Sequence, residues 1–225
     1  MSGADLRTEA FVLRRTNYGE TDRILNLLTP EGKISCLAKG VRKEKSRLAG
    51  GIELFTLSDV VLHKSARSDL ALLTSARMKV FYQNLLSNLD RLNLASKIIK
   101  ELSRITDQID NPEFFMILKQ SLEGLNNGYS VELVEAWANF NLARAKGEQV
   151  NLLSDTDGEK LQEDLRYVWD STDMALKKLP SGNVGAKEIK IMRLMLSSSL
   201  ALVSRIKDTN EHLNIVNYIS RVVLG

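Results

Sequence analysis

The chain is poor in the residues that build compact catalytic and metal sites. It has one cysteine, two histidines and three prolines in 225 residues. The single cysteine, Cys36, excludes an internal disulfide and any cysteine-rich zinc finger, and a lone thiol fits a reducing compartment. His63 and His212 lie far apart. His63 reads as an edge residue at a strand end, and His212 as a solvated residue near a helix start. Neither a Gly-x-Ser-x-Gly elbow nor a Gly-x4-Gly-Lys-Ser/Thr phosphate loop is present. Asp155 and Asp157 could be read as an acidic pair of a metal-dependent nuclease, but beside Gly158 they read as turn formers. We therefore expect no enzyme, no cofactor and no resident metal. Long apolar runs are missing too. Residues 194–203 are interrupted by serines and far too short for a bilayer, and residues 1–9 carry no apolar run. A cytoplasmic protein without membrane contact is expected.

The rest of the composition is that of a globular chain, with 44% hydrophobic and 26% charged residues. At roughly 100–200 residues per domain the length suits one or two domains. The net charge of +3 is unevenly spread. Residues 1–80 hold 14 Lys/Arg against 9 Asp/Glu, and residues 81–225 hold 17 against 19. A basic first third joined to a mildly acidic remainder suggests a polyanionic partner for the former.

The texture changes near residue 80. Before it, five short β-like runs recur at residues 9–15, 22–28, 33–38, 55–63 and 70–80, separated by turns at Gly19, Gly32, Gly40 and Gly50-Gly51. Five such strands suit a small closed barrel of the OB-fold type, although an SH3-like barrel reads similarly. After it, Leu85, Leu89, Leu92, Ala95, Ile99, Leu102 and Ile105 form one helical stripe. Asn111-Pro112-Glu113 starts a second helix, which Asn126-Asn127-Gly128 ends. A third carries Val134, Trp137 and Phe140 and stops at Gly147. Ile189, Met192, Leu196, Val203 and Ile206 predict one long helix, and Ile215 to Val223 a last short one. Residues 148–186 fit either a helix through Leu161, Leu165, Val168 and Leu176 or a hairpin at Tyr167-Val168-Trp169. The expected architecture is α+β: an OB-fold nucleic-acid-binding domain over residues 1–80, then a helical domain over 81–225 with an irregular or hairpin insert at about 150–185.

The most informative window is residues 39–47, Lys-Gly-Val-Arg-Lys-Glu-Lys-Ser-Arg, with five basic residues in nine positions. A concentrated, mobile cationic loop matches a string of phosphates and releases their counterions. Arg42, Lys43, Lys45 and Arg47 are the candidate phosphate contacts, with Lys39, Lys33, Arg14 and Arg23 extending the same face. Single-strand binders also use stacking rings. Tyr18, beside Gly19, is the candidate, whereas Phe11 and Phe55 alternate inward and read as core. Aromatic interleaving is otherwise thin.

Three linked blocks then carry a resemblance. Tyr18-Gly19-Glu20-Thr21-Asp22-Arg23-Ile24-Leu25, Leu27-Leu28-Thr29-Pro30-Glu31-Gly32-Lys33-Ile34-Ser35, and Ala38-Lys39-Gly40-Val41-Arg42-Lys43 with Ser46-Arg47-Leu48-Ala49-Gly50 resemble the N-terminal region of the RecO family of bacterial DNA repair proteins. The helical remainder matches in layout. The resemblance implies an OB-fold followed by a helical domain. It implies binding of single- and double-stranded DNA and annealing of complementary strands. It also implies that, with the partner RecR, the chain helps load RecA onto single strands coated by SSB, in homologous recombination at the nucleoid. It further implies that the helical domain receives the C-terminal tail of SSB. There is one departure. Many members carry a four-cysteine zinc module where this chain, over residues 150–185, has no cysteine. Thiolates cannot hold zinc there, so packing by Trp169, Leu165 and Leu176 must stabilise the segment. A stand-alone OB-fold RNA-binding module, or a protein adaptor without annealing activity, would show the same barrel and loop.

Overall fold

The computed structural model describes residues 4–65, 68, 70–206 and 210–225. Contacts divide the chain into two units, Met1–Leu122 and Glu123–Gly225. In the first, β1 (Ala4–Tyr18), β2 (Asp22–Thr29), β3 (Gly32–Ala38), β4 (Thr56–Lys64) and β5 (Ala71–Phe81) close an OB-fold barrel in the order β1-β2-β3-β5-β4. Every pairing is antiparallel except β3 with β5, which meet in parallel at Cys36↔Ala71 and Leu37↔Leu72. All five strands lie where the β-like runs place them. β1 is longer than its run because residues 4–8 pair with the far end of β4. That stretch is partly or fully exposed, so its sequence shows no apolar alternation.

Side chains alternating along the strands fill the barrel, among them Ala10, Val12, Leu25, Leu27, Cys36, Ala38, Val60, Leu62, Ala71 and Leu73. Burial pushes the Cys36 thiol up to about 12, so it acts as a small apolar residue. Phe11 has opposite parity to Ala10 and Val12. Its ring faces Phe115 at 5.3 Å and Tyr82 at 6.4 Å between centroids. It is core, as expected, but on the barrel's outer wall.

That wall is covered by α1 (Leu89–Ile105) and the start of α2 (Glu113–Asn126). Asn88 caps α1 by accepting from the Arg91 N–H. The buried stripe is Leu94, Ala95, Ile98, Ile99, Leu102 and Ile105, which corrects its first turns. Leu85 belongs to a separate 3-10 turn (Gln83–Ser87), and Leu89 is 70% exposed. The cap at Asn88 starts a new phase that the leucine spacing hides. At the β2–β3 turn, Gly32 has φ +117°, and the Asp110 carboxylate fills the place a Cβ would take. Gly51 is equally constrained. It closes a 3-10 turn (Ala49–Gly51), and a Cβ there would lie 2.5 Å from the backbone of Ala76 in β5.

In the second unit, α3 (Val131–Lys146) is capped by Ser130 and ended by left-handed Gly147. It is buried on nearly every side, and its buried polar groups are paired. Asn217 Nδ2 and Arg221 Nη2 donate to Glu135 Oε2 at 3.1 and 2.5 Å, and Asn139 Nδ2 donates to Ser220 Oγ at 3.2 Å. It packs against α4 (Ala186–Ser197) and α6 (Asn210–Leu224), and the single turn α5 (Leu200–Val203) follows α4. The one long helix expected before residue 206 is thus broken at Ser198-Ser199. Both serines are extended there, and the Ser198 carbonyl accepts the Trp137 indole N–H at 3.0 Å. Asn141 likewise takes the Met195 carbonyl, so buried donors on α3 claim the end of α4.

Residues 148–186 form a three-stranded sheet, not a helix. β7 (Tyr167–Asp170) and β8 (Ala175–Lys178) make the hairpin, and β6 (Asn151–Asp155) joins β8 in parallel. The packing centres on Leu152, Tyr167, Leu176 and Val184, while Trp169 and Leu165 are only half-buried. Asp155 is buried, and its Oδ1 accepts from the N–H groups of Asp157 and Glu159. It is a turn former, as read. His212 is not solvated as expected: its Nδ1 contacts Glu188 Oε1 at 2.5 Å and its side chain is largely covered. No described helix is long and apolar enough to cross a membrane.

These interactions bear on stability in two measurable ways. Gly51→Ala must displace β5 backbone and should cost roughly 1–3 kcal/mol in a denaturant titration. Gly50→Ala, with nothing within 4 Å, should leave the midpoint nearly unchanged. For Glu188, burial pulls the carboxyl upward. The Gly185 N–H, its own backbone N–H and His212 outweigh that and leave it below the ordinary carboxylate range. A depressed carboxylate contributes stability above its unfolded pKa and loses it as pH falls through the folded value. Melting temperature should therefore fall as the pH is taken below about 4.5, and Glu188→Gln should remove that part of the slope.

Candidate nucleic-acid interface

The basic window lies between β3 and β4, and hydrogen bonds fix its position against the β1–β2 turn. Asp22, the first residue of β2, accepts from the Gly40 N–H at 2.7 Å. Arg42 donates through its own N–H to the Thr21 carbonyl at 2.9 Å and through Nη1 to the Gly19 carbonyl at 3.4 Å. Val41 is 3% exposed and plugs the barrel mouth, and Ile52 closes the segment at its far end. Turn bonds from Lys43 N–H to Gly40 and from Ser46 N–H to Lys43 order the stretch between. The loop is thus pinned to the β1–β2 turn at Gly40 and Arg42, and beyond them only turn bonds within the loop shape its backbone.

Asp22 is the electrostatic centre of this arrangement. Its carboxyl sits below the ordinary range because the Gly40 N–H bonds it; slight burial works the other way, and Thr21, Lys39 and Lys43 add to the lowering. One carboxylate thus offsets part of the charge of two lysines. Lys45 and Arg47 have no ion-pair or hydrogen-bond partner among the described residues and are exposed. Tyr18 is 56% exposed at the end of β1, directly across from Asp22. The ring candidate and the loop therefore share one end of the barrel. Arg23 lies one residue into β2, with its Nε on Asn17 Oδ1 at 3.2 Å.

Two residues of the expected face sit elsewhere. Lys33 is in β3 and forms an ion pair with Asp107, just past the end of α1, leaving 17% of its side chain exposed. The pair ties the β2–β3 turn to the segment after α1. Arg14 lies four residues before Tyr18, about 13 Å along the strand, and lines a groove of about 780 Å³ against α1. Phe55 lines the same groove. It is half-buried, not core, and has φ +59°. Three cations of α1, Lys97, Lys100 and Arg104, border this groove as well. Their i, i+3, i+7 spacing on the polar face was a readable signal that the apolar stripe overshadowed.

Residues 1–82 match the family model described as Recombination protein O N terminal. A DNA repair protein RecO of Dehalococcoides mccartyi (strain CBDB1) is 29% identical over 218 residues, spanning 93% of this chain and 85% of the relative. A second, from Dehalococcoides mccartyi (strain ATCC BAA-2266 / KCTC 15142 / 195), is 34% identical over 150 residues, 66% of this chain and 58% of the relative. One from Roseiflexus sp. (strain RS-1) is 33% identical over 147 residues, 65% and 51% of the two chains. Residues 1–82 thus carry the N-terminal domain of the RecO family, and the relatives that extend over the rest are RecO proteins. The matched segment takes in the whole barrel, both turns at its mouth and the basic loop.

The anchor gives a direct test. Asp22→Ala removes the acceptor for Gly40 N–H and one negative charge beneath two lysines. Amide hydrogen exchange over residues 40–47 should speed up, while that of β2 and β4 stays near wild type. Unchanged exchange in the loop would show that Val41 and Ile52 alone hold it.

Proposed function

We propose that this chain is a DNA repair and recombination mediator that binds single- and double-stranded DNA and anneals complementary strands. The observation that carries the reading is the pinned cationic end of the barrel. Annealing requires two polyanions to approach. A surface that neutralises phosphates lowers their repulsion without reading base edges. The loop backbone is pinned at Gly40 and Arg42, so Lys39, Arg42, Lys43, Lys45 and Arg47 present an array of attachment points. Their long aliphatic stems let each charge follow a phosphate. Tyr18 offers one stacking face beside them, which suits a strand held loosely enough to pair. Arg23 extends the array along β2.

The similarity to RecO proteins supports a reading of the partners as well. RecR would act with the chain in loading RecA onto strands coated by SSB, and the C-terminal tail of SSB would dock on the helical part. The division of labour we infer is an OB-fold DNA-binding domain over residues 1–80 and a helical domain over 81–225. No bond need break for this task, so the chain acts as a mediator and not as an enzyme, in the cytoplasm where the chromosome lies.

The test is annealing of two complementary fluorescent oligonucleotides in EDTA at two salt concentrations. Wild type should accelerate pairing, more so at low salt, with both strands intact. Arg42→Ala, Lys43→Ala, Lys45→Ala and Arg47→Ala combined should lower the salt slope of single-strand binding by about 0.7 for each phosphate no longer neutralised. An unchanged slope would place the DNA elsewhere. Binding that prefers RNA, with no annealing, would favour an RNA-binding module. Salt-independent or absent DNA affinity would favour an adaptor.

A further inference from the structure

The groove beside α1 is separate from the basic loop and has its own chemistry. Its floor includes Leu13, Leu54 and the half-buried ring of Phe55. Its rim carries Arg14 on the strand side and Lys97, Lys100 and Arg104 on the helix side, all four exposed. Two carboxylates also border it, and both are engaged: Glu101 by Arg104 at 2.5 Å and Asp107 by Lys33. Arg14 and Lys100 have no ion-pair or hydrogen-bond partner among the described residues. The lining therefore keeps a net positive charge over an apolar, partly aromatic floor.

We propose that this groove is a second single-strand nucleic-acid site, which holds one strand while the loop end holds the other. The inference rests on the annealing reading above and deepens it, because a mediator that pairs two strands must retain both. Three features favour a nucleic-acid strand as occupant. Lys97 and Lys100 stand about one helical turn apart on α1, close enough to engage neighbouring phosphates of one strand. Arg14 on the opposite rim sets cations on both sides of the trough, as a backbone running along it would need. Phe55 supplies a ring at the bottom, where an unstacked base could lie on it. Its backbone is held at φ +59°, and the Phe55 carbonyl accepts the Tyr82 N–H.

The geometry arises from a fold irregularity. The pairing of β1 with β2 shifts between Val12 and Arg14, leaving Leu13 without a partner in β2. Such a bulge re-aims the side chains beside it. Here Leu13 is buried on the groove floor and Arg14 stands on its rim.

The test uses the full chain, its Lys97→Ala/Lys100→Ala variant and a single-stranded thymidine oligonucleotide carrying 5-iodouracil. Both substitutions are on exposed positions of α1, and an unchanged thermal melt confirms folding. We expect photo-crosslinking of wild type to mark the peptide containing Phe55. We expect the variant to bind a single oligonucleotide within about twofold of wild type, because the loop end remains, and to fall about tenfold in annealing rate. The crosslink at Phe55 should fade in the same variant. Annealing at the wild-type rate with no crosslink at Phe55 would overturn the second site and leave the mediator reading intact. Single-strand binding and annealing that fall together would also overturn it, since the groove would then belong to the first site. A groove that takes no DNA but captures an acidic peptide would be assigned to a protein partner instead. A wild-type chain that neither binds nor anneals would remove the mediator reading and this inference with it.

Discussion

The first unit depends on β1 serving two sets of partners at once. Phe11 is where the strand changes hands. It pairs with Leu57 of β4 on one side and with Leu28 of β2 on the other. Residues before it belong to the β4 ladder and residues after it to the β2 ladder. Barrel closure needs this sharing, because β3 and β5 contribute only two residue pairs at the remaining seam. The ring of Phe11 faces outward onto Phe115 and Tyr82, so the same residue that divides the strand also seats the helices on the wall. Two residues later the bulge at Leu13 follows. A five-stranded barrel of this size must bend its long first strand, and bulges concentrate that bend. The helical cover, the groove and the position of Arg14 are all consequences of how one strand is bent.

The basic loop shows a different compromise. A free cationic loop would lose conformational entropy on meeting DNA, about 1–2 kcal/mol for each residue fixed. In this chain much of that ordering is already done by Asp22, Val41 and the turn bonds. What remains unordered is the outer part of each lysine and arginine. Under the proposed function such an interface would engage phosphates at low entropic cost and without geometric selection among bases. Both properties would suit a mediator that accepts any sequence.

The barrel was legible because its strands carry period-2 patterning and its turns carry glycines at positions that need them, as Gly32 and Gly51 show. Legibility failed where tertiary partners override local pattern. The long helix through residue 206 is broken because the Trp137 indole and the Asn141 amide, some 50 to 60 residues away in sequence, take the carbonyls at its end. No local signal encodes that. His212 looked solvated because its neighbours are polar, yet it seats on Glu188. The hairpin at Tyr167 was balanced against a helix because four-residue apolar runs lack a period, and the close packing of Gly182 on the Tyr167 backbone, which helps fix the sheet, is a long-range fact. Of the candidate site, the loop cations and Tyr18 could be read directly. Where Lys33 and Arg14 end up could not, since it depends on Asp107 and on the strand bulge.

The distinction between paired and uncompensated cations matters more than the charge total. Arg15 is bound by Glu53, Lys33 by Asp107, Lys79 by Glu9 and Arg104 by Glu101. Three of these four cations belong to residues 1–80, but Glu53 and Glu9 lie in the same segment, so only the Lys33–Asp107 pair draws on its basic excess, by one charge. For a polyanion, a cation already beside a carboxylate contributes little counterion release. Among those left, Lys45 and Arg47 stand on the loop, and Arg14 and Lys100 on the rim of the trough below α1. A chain of nearly neutral net charge can therefore present two cationic surfaces. Because they sit at opposite ends of the segment from Arg14 to Tyr18 within one strand, their spacing is set by the barrel and not by a linker. In the proposed reading, two strands held at a fixed separation mainly by their phosphates would keep most bases free, and complementarity would decide whether they stay together.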